Sequence, residues 1–190
     1  SSSRLDCERL TSALNGICNS DIRVQAVSAV EDDFNARFSA TERMYRYNIL
    51  NASLADPLHA DIEWHISEPL NVDAMNGAAS LFLGEHDFTS FCRRPKGQPA
   101  QALVRRIRSS QWIAQTQQRI QFQIAANAFC HQMVRSLTGF CVAVGLGKCE
   151  AETFEAVLKA QNRAAAPPIA PPHGLILQHV TYGESDGQGQ

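Results

Sequence analysis

The sequence predicts an α+β fold, a mainly antiparallel β-sheet flanked by helices. Three observations point there. "RIQFQIAA" at residues 119–126 alternates apolar and polar side chains, the two-residue period of a half-buried strand. Its neighbour, Leu103 to Ala114, is separated from it only by the polar turn "QTQQ". Between such strands lie segments whose apolar residues recur three and four apart, as on one helix face. Strands joined by short turns and interspersed with helices make a sheet with helices packed on it.

The elements follow in chain order. Asp6 to Leu14 predicts a short helix, with Leu10 and Leu14 one turn apart and Asn15-Gly16 as its stop. Ile22 to Val30 predicts a strand. A helix and one strand ahead of Glu31 have the look of a domain's end. Arg43 to Leu50 predicts a second strand, and alternation places Arg43, Tyr45, Tyr47 and Ile49 on one face. Asp56-Pro57 marks a break. Asn71 to Leu83 is helical, with Met75, Ala78, Ala79 and Phe82 on one side and Gly84 closing it. "GEHDFTSFCRRPKGQPAQ" predicts a basic loop. The strand pair 103–114 and 119–126 follows, and Asn127 is expected to cap a long helix running to about Val144. Glu152 to Ala160 forms another helix. Four prolines in "AAAPPIAPPHG" exclude regular structure. Leu175 to Tyr182 is the last strand, and residues 184–190 form a frayed tail.

The net charge of −2 conceals a polarity. Phe88 to Lys148 contains no Asp or Glu, while it holds eight arginines and lysines besides Arg135. Arginine supplies fourteen of the 17 basic residues, and its planar fork suits phosphate. Such asymmetry is the footprint of a polyanion-binding surface, or of a basic face paired with acids elsewhere in the fold. The six cysteines form no C-x-x-C, and no histidine stands at zinc-ligand spacing from them, so reduced, structural thiols are expected and no metal site is. No apolar targeting core and no bilayer-length apolar run is visible, so the expected setting is cytoplasmic, without membrane contact.

Arg135 is the only formal charge between Ala128 and Leu146. Phe129, Met133, Leu137, Phe140 and Val144 make one apolar stripe, and Arg135 falls on the opposite side with His131, Thr138 and Val142. That side is too apolar for an open surface, so it should be part-buried too. A part-buried guanidinium needs an anionic partner: a carboxylate of this chain, one from another polypeptide, or a phosphate.

These residues belong to a recognisable pattern. "FNARFSATERMYRYNIL" at 34–50 resembles the F-H-A-R-F-S-A-x-x-R-x-Y-x-Y stretch of the TruA family of tRNA pseudouridine synthases, with Asn35 in place of a common histidine. The resemblance continues through "GEHDFTSFCR", "IQFQIAANAFCHQMVRSLTGFCVAVGLG" and "APPHGLILQHVTYG". It implies the pseudouridine synthase catalytic-domain type of fold, with ferredoxin-like elements. Residues 1–33 would then be the tail of a first domain, 34–183 the second (C-terminal) pseudouridine synthase domain, and 184–190 a flexible tail.

The resemblance implies an isomerase that converts uridine to pseudouridine in the tRNA anticodon stem–loop, acting as a homodimer without cofactor or metal. Tyr45 matches the active-site tyrosine expected to stack on a flipped uracil. Tyr47 has the pattern of a cross-strand core aromatic. Arg135 matches the basic residue that pairs with the catalytic aspartate. Arg37, Arg43, Arg93, Arg94, Lys96, Asn127 and His131 are the further candidate substrate contacts. The family's G-R-T-D-A-G-V-H segment, bearing that aspartate, has no counterpart in this sequence, so the chain alone is expected to be inactive. The alternative reading is a non-catalytic RNA-binding or dimerisation module on a related sheet.

Overall fold

The computed structural model describes residues 6–93 and 102–183. Arg94, Lys96 and the expected tail at 184–190 lie outside the described residues. The chain divides into two compact units, Ser1–Ser39 and Ala40–Gln190.

In the first unit, α1 (Cys7–Ile17) starts at Asp6, whose carboxylate accepts the backbone N–H groups of Glu8 and Arg9 at 3.1 Å. The helix runs through Asn15-Gly16 instead of stopping there. Asn15 explains a second difference. Its side chain donates to the Val24 carbonyl and accepts the Val24 N–H, at 2.8 and 2.9 Å. The segment expected as a strand at 22–30 is thus pinned by a side chain and joins no sheet.

The second unit carries one six-stranded sheet: β1 (Ala40–Asn51), β2 (Trp64–Ile66), β3 (Gly84–Asp87), β4 (Val104–Ala114), β5 (Arg119–Ala126) and β6 (Leu175–Tyr182). The order is β2-β1-β5-β4-β3, with β6 also paired to β1. β1 meets β5 and β6 antiparallel and β2 parallel, and β4 is antiparallel to β3 and β5. The expected α+β class and mainly antiparallel sheet hold. β2 and β3 are three and four residues long, too short to show a period in the sequence.

Alternation along β1 and β5 decides which face is buried. Tyr47 stands opposite Phe122 and Ile49 opposite Ile120, and all four are core residues. On the other face Asn48, Gln121 and Gln123 form a side-chain ladder, with hydrogen bonds of 3.0 and 2.7 Å. Helices α2 (Val72–Ser80), α3 (Met133–Gly145) and α4 (Thr153–Ala160) supply Met75, Ala78, Leu137, Phe140 and Phe154 to the core against the first face. Phe82, Phe91, Phe140 and Phe154 meet with centroids 4.9 to 6.0 Å apart. Each fully buried phenylalanine is worth about 1.5–3 kcal/mol of transfer free energy.

Two helix boundaries move. Asn71 caps α2 by accepting from Ala74 N–H, and Gly84, expected to close that helix, opens β3 at φ 93°. Asn127 caps no helix. Its side-chain oxygen accepts the N–H of Arg106 and of Ala128, at 3.0 and 2.9 Å, tying the end of β5 to β4. The chain then crosses residues 128–132 without helical structure, and α3 begins at Met133, after Gln132 at φ 68°.

Candidate active site

Tyr45 sits on β1 between Ile124 of β5 and Leu177 of β6. The β1–β6 register shifts between Met44 and Tyr45, so the ladder is irregular where that phenol emerges. Phe129, in the connection before α3, packs edge-on against Tyr45 with ring centroids 5.2 Å apart and planes at 89°. The two rings wall a pocket of about 400 Å³, lined also by Cys130, His131, Arg135 and Pro172. Among the described residues no Asp or Glu lines it.

Arg135 enters from the first turns of α3. Its Nε donates to the Ala170 carbonyl at 2.7 Å, and its own carbonyl accepts the Ala170 N–H at 3.1 Å. One guanidinium nitrogen is thus held by the proline-rich segment. No carboxylate of the described residues pairs with this arginine. Its helix side is part-buried as predicted: Thr138 and Val142 are both buried, while Arg135 is half-buried.

Tyr47 differs from Tyr45. It is wholly buried, and its hydroxyl donates to the Pro171 carbonyl at 2.7 Å. Burial pushes its phenol well above the ordinary tyrosine range, against a smaller opposing pull from the charge of Arg135. Tyr47 is a neutral donor that fastens the proline-rich segment to the sheet.

The other predicted site residues scatter. His131 lines the pocket, and its carbonyl accepts the Arg93 N–H at 2.9 Å. Because α3 starts later than expected, His131 precedes the helix and is not on Arg135's helical face. Arg43 points to the strand end, where its Nη1 donates to the carbonyls of Ala40 and Asn127 at 2.8 Å. Arg37 belongs to the first unit, with its guanidinium over the Phe38 ring at 5.5 Å. Phe129, Gln132 and Pro172 also line the pocket, and nothing in the sequence marks them as site residues. The apolar stripe places Phe129 on a helix face, whereas α3 begins only at Met133.

Four cations of the acid-free stretch pair with carboxylates from other parts of the chain. Arg106 pairs with Glu85, Arg108 with Glu42, and Lys148 with Glu68. Arg119 forks onto Glu63 at 2.9 and 3.0 Å and also reaches Asp56. Asp56, His59 and Glu63 bring ligand atoms within 4.8 Å of one another, yet that cluster already holds the guanidinium of Arg119. The His59 bond, above other causes, holds the Asp56 carboxyl below its usual range.

The cysteine expectation is corrected for one pair. Cys92 and Cys130 are joined as a disulfide with Cα atoms 5.8 Å apart. Thirty-eight residues separate them, and only the packing of the segment after β3 against the approach to α3 brings them together. Cys18, Cys141 and Cys149 lie outside disulfides.

A half-covered, mostly antiparallel sheet, with an aromatic and guanidinium pocket beside its most paired strand, is consistent with the α+β fold of pseudouridine synthases. The chain belongs to the tRNA pseudouridine synthase family, whose pattern it matches over residues 78–183. It is 37% identical over 179 residues to a tRNA pseudouridine synthase A of Thermoanaerobacter sp. (strain X514), covering 94% of this chain and 72% of that protein. A tRNA pseudouridine synthase A of Bacillus subtilis (strain 168) is 36% identical over 94% of this chain and 71% of its own length. One of Staphylococcus aureus (strain MRSA252) is 34% identical over 92% and 65%.

Proposed function

We propose that the pocket between Tyr45 and Arg135 receives a uridine flipped out of a tRNA anticodon stem–loop, for isomerisation to pseudouridine. The observation that carries this reading is the meeting, in one pocket of about 400 Å³, of a part-exposed phenol and a guanidinium that pairs with no carboxylate among the described residues. Base flipping requires such a space, with a flat apolar wall and polar groups at its rim. Tyr45 stacks on the uracil, and Phe129 braces it. Arg135 holds the reacting carboxylate ionised and oriented while the N–C bond breaks and the base rejoins the sugar through carbon.

None of the described lining residues supplies that carboxylate, so this chain turns over little uridine unaided. Residues 34–183 form the pseudouridine synthase domain in this reading. Arg93, Arg94 and Lys96 follow the RNA backbone, and Arg37 is a phosphate contact. Arg43 donates to the Asn127 carbonyl and so ties the strand that carries Tyr45 to the segment that leads to Phe129. The enzyme works in the cytoplasm as a homodimer and needs no metal.

The test is incubation of the chain with uridine-containing tRNA, with and without a fragment of a family member bearing the catalytic aspartate, followed by nucleoside quantitation. Pseudouridine should form only with the fragment. Appreciable pseudouridine from the chain alone would overturn the assignment of the carboxylate. No tRNA binding and no product under either condition would overturn the pocket's role.

A further inference from the structure

We propose that Cys92 and Cys130 form a reversible redox site in the wall of the pocket, modified by thiol–disulfide exchange with small disulfides such as glutathione disulfide. The two positions are bridged with Cα atoms 5.8 Å apart, inside the 4.4–6.8 Å span that a disulfide requires. Their settings differ. Cys92 follows the 3₁₀ turn Thr89–Phe91 and is 2% exposed. Cys130 is half-buried and faces the pocket. The cavity therefore gives a small disulfide access to Cys130 and not to Cys92.

The exchange balances without any group from the protein beyond the two thiols. The Cys130 thiolate attacks one sulfur of the small disulfide, forms a mixed disulfide and releases one thiolate. The Cys92 thiolate then attacks the Cys130 sulfur, closes the protein disulfide and releases the second. Two electrons pass to the small disulfide, and the two cysteine protons end on the two released thiols. A dithiol reverses both steps.

The bridge has a mechanical consequence at the site. Residues 129–132 cross from β5 to α3 without regular structure and carry Phe129, Cys130, His131 and Gln132 into the pocket wall. Three backbone bonds restrain this crossing: Arg93 N–H to the His131 carbonyl, Met133 N–H to the Cys130 carbonyl, and Ser136 N–H to the Gln132 carbonyl. The first of them joins the residues next to the two cysteines. The disulfide and this bond together lash the wall to the chain at Cys92–Arg93. Reduction leaves the hydrogen bond alone, so the wall and the ring of Phe129 that braces Tyr45 loosen.

The experiment uses the whole chain equilibrated with glutathione disulfide or with dithiothreitol, then alkylated and mapped by peptide mass spectrometry. After oxidation Cys92 and Cys130 should resist alkylation and appear in one cross-linked peptide pair, and dithiothreitol should restore both. Cys92→Ser should accumulate a glutathione adduct on Cys130, while Cys130→Ser should leave Cys92 unmodified. Amide hydrogen exchange across 129–133 should be slower in the oxidised wild type, and equally fast under both conditions in the double serine variant. Full alkylation of both cysteines after oxidation, or a cross-link to another cysteine, overturns the site. Exchange rates that ignore the redox state overturn its coupling to the wall. None of these readouts needs tRNA or turnover, so they stand or fall apart from the proposed activity.

Discussion

Tyr45 and Tyr47 stand two residues apart on one face of the same strand, and their neighbours divide them. Tyr47 lies under the proline-rich segment with its hydroxyl spent on the Pro171 carbonyl. Tyr45 lines the pocket beside Phe129. Alternation makes their shared face readable from the sequence, but their different fates depend on Phe129 and Pro171, far along the chain. If the Tyr45 ring stacks on a base, Tyr45→Ala should weaken tRNA binding by ~1–3 kcal/mol. Tyr45→Phe should keep that affinity, and lose turnover in the complemented reaction only if the phenolic oxygen takes part. Filter binding and product formation on the two variants decide it. Equal affinity for wild type and Tyr45→Ala would make the residue structural. Arg135 was legible as an odd charge in an apolar helix. That its Nε would grip a backbone carbonyl of Ala170 was not, because that partner is 35 residues away in a segment without periodicity.

At the scale of elements, α3 depends on a close approach that no period reveals. A Cβ on Gly139 would collide with the carbonyl oxygen of Pro168, so the proline-rich segment lies directly on the helix there. Gly77 in α2 has open space where its Cβ would be. The same substitution should therefore have opposite signs. Gly139→Ala should cost about 1–3 kcal/mol, because the segment that carries Ala170 and Pro171 must shift. Gly77→Ala should stabilise by about 0.5–1 kcal/mol, through helix propensity and a less flexible unfolded chain. Urea midpoints of the two variants test the pair, and destabilisation by both would refute the open space at Gly77. The long strands and α4 were readable to within a few residues because each has a clean period. The start of α3 was not, because Asn127 has the right side chain for a cap and spends it on β4 instead.

Across the whole molecule, charge and ionisation depend on which elements meet. The acid-free stretch was plain in the sequence, but Glu42, Asp56, Glu63, Glu68 and Glu85 return from outside it to pair with four of its cations. The net positive field of that stretch is correspondingly smaller than the raw count suggests. Burial acts on the interior in the same long-range way. The thiol of Cys141 is wholly buried, and desolvation pushes it from an ordinary value of 9.0 up to about 12. A raised pKa makes the folded state favour the proton. Its contribution is complete below about pH 9 and is lost as pH rises toward about 12, since only the unfolded thiol ionises in that window. Wild type should therefore lose stability relative to Cys141→Ala at a rate on the order of 1 kcal/mol per pH unit above pH 9. Denaturation of both proteins at pH 8 and pH 10 measures it, and parallel losses would place the alkaline sensitivity elsewhere.

Local information was enough for the sheet-and-helix class, for the shared face of Tyr45 and Tyr47, and for the isolated charge of Arg135. Each follows from periodicity or from a residue out of keeping with its neighbours, and both are properties of a short window. Packing across the fold decided the rest: the ion pairs of the basic stretch, the bridge between Cys92 and Cys130, the anchoring of Ala170, and the late start of α3. Those features join residues far apart in the chain, and their partners are chosen by which surfaces the buried core brings into contact.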